Sequence, residues 1–203
     1  MTTNPKRAYF NDLAPRWDGL PRPEDAPALI QRFVERGGDP SARRILDVGC
    51  GTGILLPSLL ETHRSAACIV ELDFAEGMLQ ENARRHAGFG IVRVCADAQA
   101  LPFRNACFDL VLCFGVLPHL SATGTALREL LRVLRPRGSI SVGHLMNSAE
   151  LNDFHQSLGE PVAHDRLPPV QSLAGMLQEY EMMVVCAEES PGWYFTRATR
   201  TCP

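Results

Sequence analysis

The sequence predicts an α/β fold: a mostly parallel sheet with helices on both faces and an antiparallel strand at its C-terminal edge. Three observations carry this. From Arg43 onward, short apolar runs alternate with stretches of helical spacing. Several of those runs end in an acid, as at Asp47, Asp73 and Asp97. Two strand-like runs then close the chain around Pro191-Gly192, a hairpin signal.

The element that organises the rest is Ile45-Leu46-Asp47-Val48-Gly49-Cys50-Gly51-Thr52-Gly53 and the leucines after it. An apolar run, alternating glycines and a helical pattern read as strand, tight turn and helix. Glycines remove Cβ atoms where the backbone turns sharply and a flat ligand must approach it. The turn opens a helix, so its free N–H groups face whatever sits above it. Asp47 is read as a carboxylate for the glycine amides or a ligand's ammonium.

The other elements follow in order. Met1 to Pro27 is expected to be irregular, since its prolines bar a long helix beyond Ala8 to Leu13. It carries Tyr9, Phe10 and Trp17, so residues 1–27 read as a segment docked by its aromatics or as a lid over a ligand cleft. Ala26 to Arg36 has helical spacing and stops at Gly37-Gly38. Ala66 to Leu72 is a second strand and Ala75 to His86 a helix. Ile91 to Cys95 and Phe108 to Phe114 are strands, the latter apolar on both faces after Asp109. Ala122 to Leu134 is an amphipathic helix, and Ser139 to Gly143 a strand. Ala149 to Leu158 and Pro169 to Glu181 are helical, with Met182 to Ala187 and Tyr194 to Thr199 as the closing strands. One domain, 1–203, accommodates all of it.

A net charge of −3 gives no electrostatic case for nucleic acid or an anionic membrane as partner. No apolar run reaches the ~20 residues of a membrane span, and Met1 to Gly19 lacks a signal-peptide core. The seven cysteines (Cys50, Cys68, Cys95, Cys107, Cys113, Cys186, Cys202) show no C-x-x-C spacing and read as reduced, mostly buried thiols. The expected location is the cytoplasm. Arg84, Arg85, Arg135 and Arg137 read as solvated helix-end charges.

Ligands of open α/β sheets bind beyond the carboxyl ends of the strands. Asp73 can take both ribose hydroxyls of a nucleoside, with Glu71, on the same strand face, as the fallback. The dinucleotide fingerprint G-x-G-x-x-G needs a third glycine where Ile54 stands, so that reading fails. The observed Asp47-x-Gly49-x-Gly51-x-Gly53 instead resembles motif I of the class I S-adenosylmethionine (SAM) dependent methyltransferases. Leu72-Asp73-Phe74-Ala75-Glu76-Gly77-Met78-Leu79 resembles the family's stretch after strand two. Asp97-Ala98-Gln99-Ala100-Leu101-Pro102-Phe103 with Phe108-Asp109 resembles its D-A-x-x-L-P-F…F-D signature. Arg128 to Gly138 is similar to its R-E-x-x-R-V-L-K-P-G-G run, with Arg137 in place of the first glycine. Tyr9 to Asp18 is similar to the opening of the ubiquinone/menaquinone-type members.

The resemblance implies a Rossmann-like methyltransferase sheet and SAM as cofactor, with S-adenosylhomocysteine as product. It implies a site built from Asp47, Gly49, Cys50, Gly51, Gly53, Asp73, Phe74, Met78, Asp97, Ala98 and Phe114. Asp97 and the Ala98 amide would take the adenine, and Phe114 would lie over the cofactor. The implied reaction is methyl transfer to a small molecule. The alternatives are a non-catalytic SAM-binding regulator and, behind it, a nucleotide-cofactor oxidoreductase.

Histidines complete the reading. His63 and His86 are expected at the surface. His119 follows strand four, and His144 follows strand five. His155 and His164, next to Asp165, lie in a substrate-facing insert over 144–168, with Asn152 one helical turn before His155. His119, His144, His155 and His164 are the candidates for a general base or a substrate hydrogen bond. His144, His155 and His164 could also hold a divalent transition metal such as Zn²⁺ or Fe²⁺.

Overall fold

The computed structural model describes residues 4–87 and 91–201. Its strands are β1 (Arg44–Val48), β2 (Cys68–Asp73), β3 (Val92–Cys95), β4 (Phe108–Phe114), β5 (Leu134–His144), β6 (Met182–Ser190) and β7 (Trp193–Arg200). Its helices are α1 (Pro5–Leu13), α2 (Ala26–Gly37), α3 (Leu56–Thr62), α4 (Glu76–Arg85), α5 (Thr123–Val133), α6 (Ser148–Leu158) and α7 (Val170–Glu179). Short 3-10 turns follow α1 (Ala14–Gly19) and β4 (Leu117–His119).

The strands form one sheet in the order β3-β2-β1-β4-β5-β7-β6. The first five pair in parallel, and β7 runs antiparallel to both of its neighbours. The antiparallel pair closes that edge of the sheet, with β7 on its inner side. The side chains explain the order: Trp193 to Thr196 of β7 are buried, whereas β6 leaves Met183 and Val185 about half exposed.

Strand periodicity divides the core. Ile45, Ile69, Leu110 and Leu112 pack with Ile30, Phe33 and Val34 of α2 and with Leu56 and Leu59 of α3. Leu46, Val48, Val70 and Val111 face the other way, onto Leu127 and Leu130 of α5 and Leu173 and Leu177 of α7. The order reverses between β1 and β4, which opens the switch-point crevice at their carboxyl ends.

The N-terminal segment is more helical than its prolines led us to expect. Pro5 occupies the first turn of α1, where its missing N–H costs nothing, and the Asn4 side chain accepts from the N–H groups of Lys6 and Arg7. At the other end, the Glu189 carboxylate of β6 accepts from Ser148 N at 2.9 Å and Val170 N at 3.0 Å, capping both α6 and α7. The segment between those helices is thereby fixed to the sheet edge.

Other expectations need correction. His63 is buried at 2% exposure, because the Leu59 turn of α3 carries it inward. Arg85 pairs with Asp18 at 2.8 Å and Arg135 with Asp109 at 2.7 Å, so these charges are held by partners. Cys50 and Cys113 are buried and Cys95 is exposed; the cysteines among the described residues are free thiols, and Cys202 lies outside them. Among the described residues no helix is long and apolar enough to cross a membrane.

Candidate functional site

The glycine turn after β1 is held by β2. Gly49 and Cys50 donate their N–H groups to the Leu72 carbonyl at 2.7 and 3.0 Å. Gly51 N–H donates to Asp73 Oδ2 at 2.9 Å, and Asp73 Oδ1 accepts from Ala75 N at 2.8 Å. The turn needs glycine: Gly49 has φ +68°, and a Cβ there would lie 2.3 Å from Val116 Cγ2. Gly51, at φ +55°, has only Trp17 Nε1 near that position, at 3.9 Å.

Above the turn lies a cavity of about 510 Å³, within the usual range for small-molecule sites. Its base is Val48, Gly49, Gly51 and Gly115. Leu72, Asp73 and Phe74 line one side with Met78, and Ala96, Asp97, Ala98 and Gln99 continue it from the end of β3. Val116, His119, Leu120 and Ser121 come from the end of β4. The cover comes from two distant pieces of chain: Asn4, Pro5, Lys6, Phe10 and Trp17, and Glu160 with Pro161.

Phe10 anchors that cover. Its ring meets Trp17, Phe74 and His119 edge-on at centroid distances of 6.0, 5.9 and 5.0 Å. It is buried with Ala14, Ala75, Met78 and Val162. Asn11 Oδ1 also accepts from Gly77 N at 2.8 Å, which ties α1 to the start of α4. Asp97 closes a turn on Gln99, accepting from its backbone N–H at 2.9 Å and its side-chain amide at 3.1 Å, and that amide also reaches Ser121 Oγ.

The histidines separate by position. His119 lines the cavity, and its Nδ1 lies 2.6 Å from Asp165 Oδ2. His155 stacks obliquely behind it, 4.9 Å between centroids, with its Nδ1 3.3 Å from the Asp165 carbonyl. His144 accepts from Met146 N at 3.1 Å, and burial, aided by His119 and His155, pushes it down to about 3. His164 stands 84% exposed beside Glu160. The three proposed metal ligands therefore do not converge: His164 turns to solvent, and among the described residues no cluster of three or more His, Cys, Asp or Glu side chains could hold a metal ion. Asn152 is also occupied elsewhere, bonded to both the N–H and the carbonyl of Leu167.

Beneath the glycine turn sits a carboxyl pair. Asp47 and Glu71 are opposite in the β1–β2 register and buried at 1% and 0% exposure. Glu71 Oε2 accepts from Asn82 Nδ2 at 2.7 Å, whose Oδ1 accepts from Arg93 Nε at 2.6 Å. Asp47 Oδ2 and Glu71 Oε1 have no hydrogen-bond partner among the described residues. Burial, reinforced by Glu71 and Asp73, pushes the Asp47 carboxyl well above its ordinary range, and burial raises Glu71 to about 7.

Residues 46–142 match the methyltransferase domain family. The chain is 37% identical over 137 residues to malonyl-[acyl-carrier protein] O-methyltransferase of Halorhodospira halophila, covering 66% of this chain and 45% of that protein. It is 33% identical over 142 residues to demethylmenaquinone methyltransferase of Renibacterium salmoninarum, covering 66% and 56%. Residues 46–142 carry a methyltransferase domain of the class I SAM-dependent kind. The matches span about half the length of these relatives. The fold agrees: a chain of the complex between the Haloferax volcanii Trm112 methyltransferase activator and a methyltransferase superposes with a TM-score of 0.78 at 16% identity, over 99% of this chain and 100% of that one.

SAM is the cofactor of this family, and the cavity suits it. The space is large enough, two carboxylates face it from adjacent strand ends, and no Cβ fills it at Gly51 or Gly115. Of the residues expected to bind cofactor, Gly49, Gly51, Asp73, Phe74, Met78, Asp97 and Ala98 line the cavity. Asp47, Cys50, Gly53 and Phe114 do not. Asp47 faces Glu71 below the turn, and Cys50 Sγ lies 3.8 Å from Asn82 Nδ2. A Cβ on Gly53 would meet Asn82 and His86, and Phe114 packs its ring 4.8 Å from Phe33 in the core. Glu71, the fallback for the ribose, is consumed by Asn82. Sequence reading missed Gln99 and Ser121, although a polar residue two positions after Asp97 was a signal for the first. It also missed Lys6, whose only signal was its place beside the aromatics of the N-terminal segment.

Proposed function

We propose that this chain acts as one methyltransferase domain, with residues 1–27 as lid and 144–168 as a substrate-covering insert, and that it methylates a small, partly apolar acceptor. The observation that carries the reading is the facing of Asp73 and Asp97, at the ends of adjacent strands, into one cavity with the glycine turn.

Asp73 spends one lone pair of each oxygen on Gly51 and Ala75 and keeps the others for the two ribose hydroxyls. Asp97 and the Ala98 amide receive the adenine, while Phe74 and Met78 pack beside it. Gly49 and Gly51 leave room for the amino-acid end. The sulfonium of SAM supplies a methyl already activated for transfer. What the chain adds is positioning and exclusion of water, by Phe10 and Trp17 above and by Val116 and Leu120 at the side. His119 is the cavity's base or hydrogen-bond partner for the acceptor. His144, which burial keeps neutral, and His155 back it up without reaching the cavity.

The apolar share of the lining favours an acceptor with an apolar body, in keeping with the demethylmenaquinone named for one relative. The net charge of −3 speaks against nucleic acid. Calorimetric titration with S-adenosylhomocysteine, together with its release from SAM in a screen of phenols, hydroquinones and carboxylic acids, tests the reading. Binding with turnover is expected. Binding without turnover of any acceptor supports the regulatory alternative, and absence of binding removes the site.

A further inference from the structure

We propose that Asp165 and Lys6 are positioning residues for His119, and that the trio fits the site for an acceptor hydroxyl, phenolic or enolic, whose proton His119 removes. This rests on the methyl-transfer reading above and deepens it.

The three residues come from separate elements. His119 ends the turn after β4, Asp165 lies between α6 and α7, and Lys6 belongs to the first turn of α1. They are 46 and 159 positions apart in their pairings. Asp165 is 4% exposed, and its two oxygens are shared out: Oδ2 to His119 Nδ1 at 2.6 Å and Oδ1 to the Lys6 ammonium. Lys6 Nζ also reaches the His119 carbonyl at 3.4 Å, so α1 grips both partners.

An ionised carboxylate only accepts hydrogen bonds. Burial pushes Asp165 up, but the hydrogen bonds and charges of His119 and Lys6 hold it below the usual carboxylate range. Nδ1 of His119 must then carry the hydrogen, which in the neutral ring leaves the lone pair on Nε2. That atom has no hydrogen-bond partner among the described residues and is not sealed in, while the ring lines the cavity. Phe10 and His155 hold the ring from two sides, at centroid distances of 5.0 and 4.9 Å. The charged and titratable groups around it are Asp165 and His155 from the insert, Lys6 from α1, His144 from β5 and Asp73 from β2.

This arrangement has a use only for an acceptor with a proton to give. A carboxylate acceptor is already bare at neutral pH. For a hydroxyl, the O–H proton passes to Nε2, the oxygen forms the new O–CH₃ bond, and the S–CH₃ bond breaks with its electron pair remaining on sulfur. Neutral S-adenosylhomocysteine leaves. The imidazolium formed is balanced by Asp165, and Lys6 keeps that carboxylate charged beforehand.

The test begins with a spectrum of the wild-type protein. Long-range ¹H–¹⁵N correlation of ¹⁵N-histidine-labelled protein reads the His119 tautomer directly, assigned by loss of its signals in His119→Gln. Nδ1–H is expected, and a neutral His119 carrying its hydrogen on Nε2 would overturn the proposal whatever the acceptor. Asp165→Asn is then expected to shift the tautomer and lower kcat with phenols and hydroquinones by about 10²–10⁴-fold, with S-adenosylhomocysteine affinity changed less than about twofold. An unchanged tautomer and kcat in Asp165→Asn would reduce Asp165 to a docking salt bridge. Turnover of aliphatic carboxylic acids but of no hydroxyl compound would overturn the acceptor class while leaving methyl transfer intact. If that variant does not fold, the wild-type spectrum and wild-type acceptor preference still decide.

Discussion

Gly51 donates its backbone N–H to Asp73 Oδ2 at 2.9 Å, so the tip of the glycine turn is tied to the last residue of the neighbouring strand. One carboxylate thus shapes the turn and faces the ligand cavity at once. Asp73→Ala removes two prospective hydrogen bonds from ribose hydroxyls to a charged acceptor, each worth about 1.5–3 kcal/mol. Affinity for S-adenosylhomocysteine is expected to fall by roughly 100-fold or more, with a smaller loss in Asp73→Asn, which keeps an acceptor. Calorimetry on the three proteins decides it, and equal dissociation constants would take Asp73 away from the ribose.

Gly49→Ala and Gly51→Ala separate strain from collision. Both force an L-residue into the left-handed region, at about 1–2 kcal/mol. Gly49→Ala also drives a methyl into Val116, 2.3 Å away, adding about 1–3 kcal/mol of overpacking. Urea denaturation should therefore rank Gly49→Ala well below Gly51→Ala in stability. A reversed order would mean that the turn relaxes around Val116.

The buried pair under the turn makes stability depend on pH. Glu71 titrates near 7 in the folded protein, above its ordinary value of 4.5, because burial disfavours its charge. The folded state therefore binds this proton more tightly than the unfolded chain. Its contribution to stability is fully present below about pH 4.5 and is lost as pH rises through about 7. Glu71→Gln cannot titrate and keeps an acceptor for Asn82. Measured by urea midpoints from pH 4.5 to 8, the variant should gain on wild type as pH rises. Parallel curves would show that Glu71 stays protonated, or charged, throughout.

Phe10 is 7% exposed, and its contacts are the main apolar attachment of α1 above the cavity. Phe10→Ala would cost about 3–5 kcal/mol if the whole fold depended on it. Because the contacts join α1 to the loops after β2 and β4, to α4 and to the insert rather than to the strands themselves, local detachment is cheaper than global unfolding. Amide exchange over residues 5–19 is expected to rise by more than tenfold with Tm changed little. A large Tm drop with uniform exchange would make α1 part of the core instead of a lid.

The sheet and the strand-end carboxylates that line the cavity were legible because their signals are local. Short apolar runs, acids at strand ends and alternating glycines pointed to β1 to β5, the turn, and Asp73 and Asp97 at the ligand edge without knowledge of any distant contact. The first misjudgements concerned direction. Phe114 shares a strand face with Leu110 and Leu112, so it turns into the α2 side of the core, and Gly115 meets the cavity instead. Asp47 lies opposite Glu71 and is buried below the turn, away from the residues that line the cavity.

The histidines mark the limit. Sequence placed His119, His144, His155 and His164 near the ligand edge, but spacing along the chain carries no information on how a 144–168 insert folds back. Only tertiary structure set His119 at the cavity, turned His164 to solvent, and brought Asp165 and Lys6 to the same imidazole. Strand and turn geometry is dictated by neighbours in sequence, whereas a buried charge takes whichever partner the packed elements present to it.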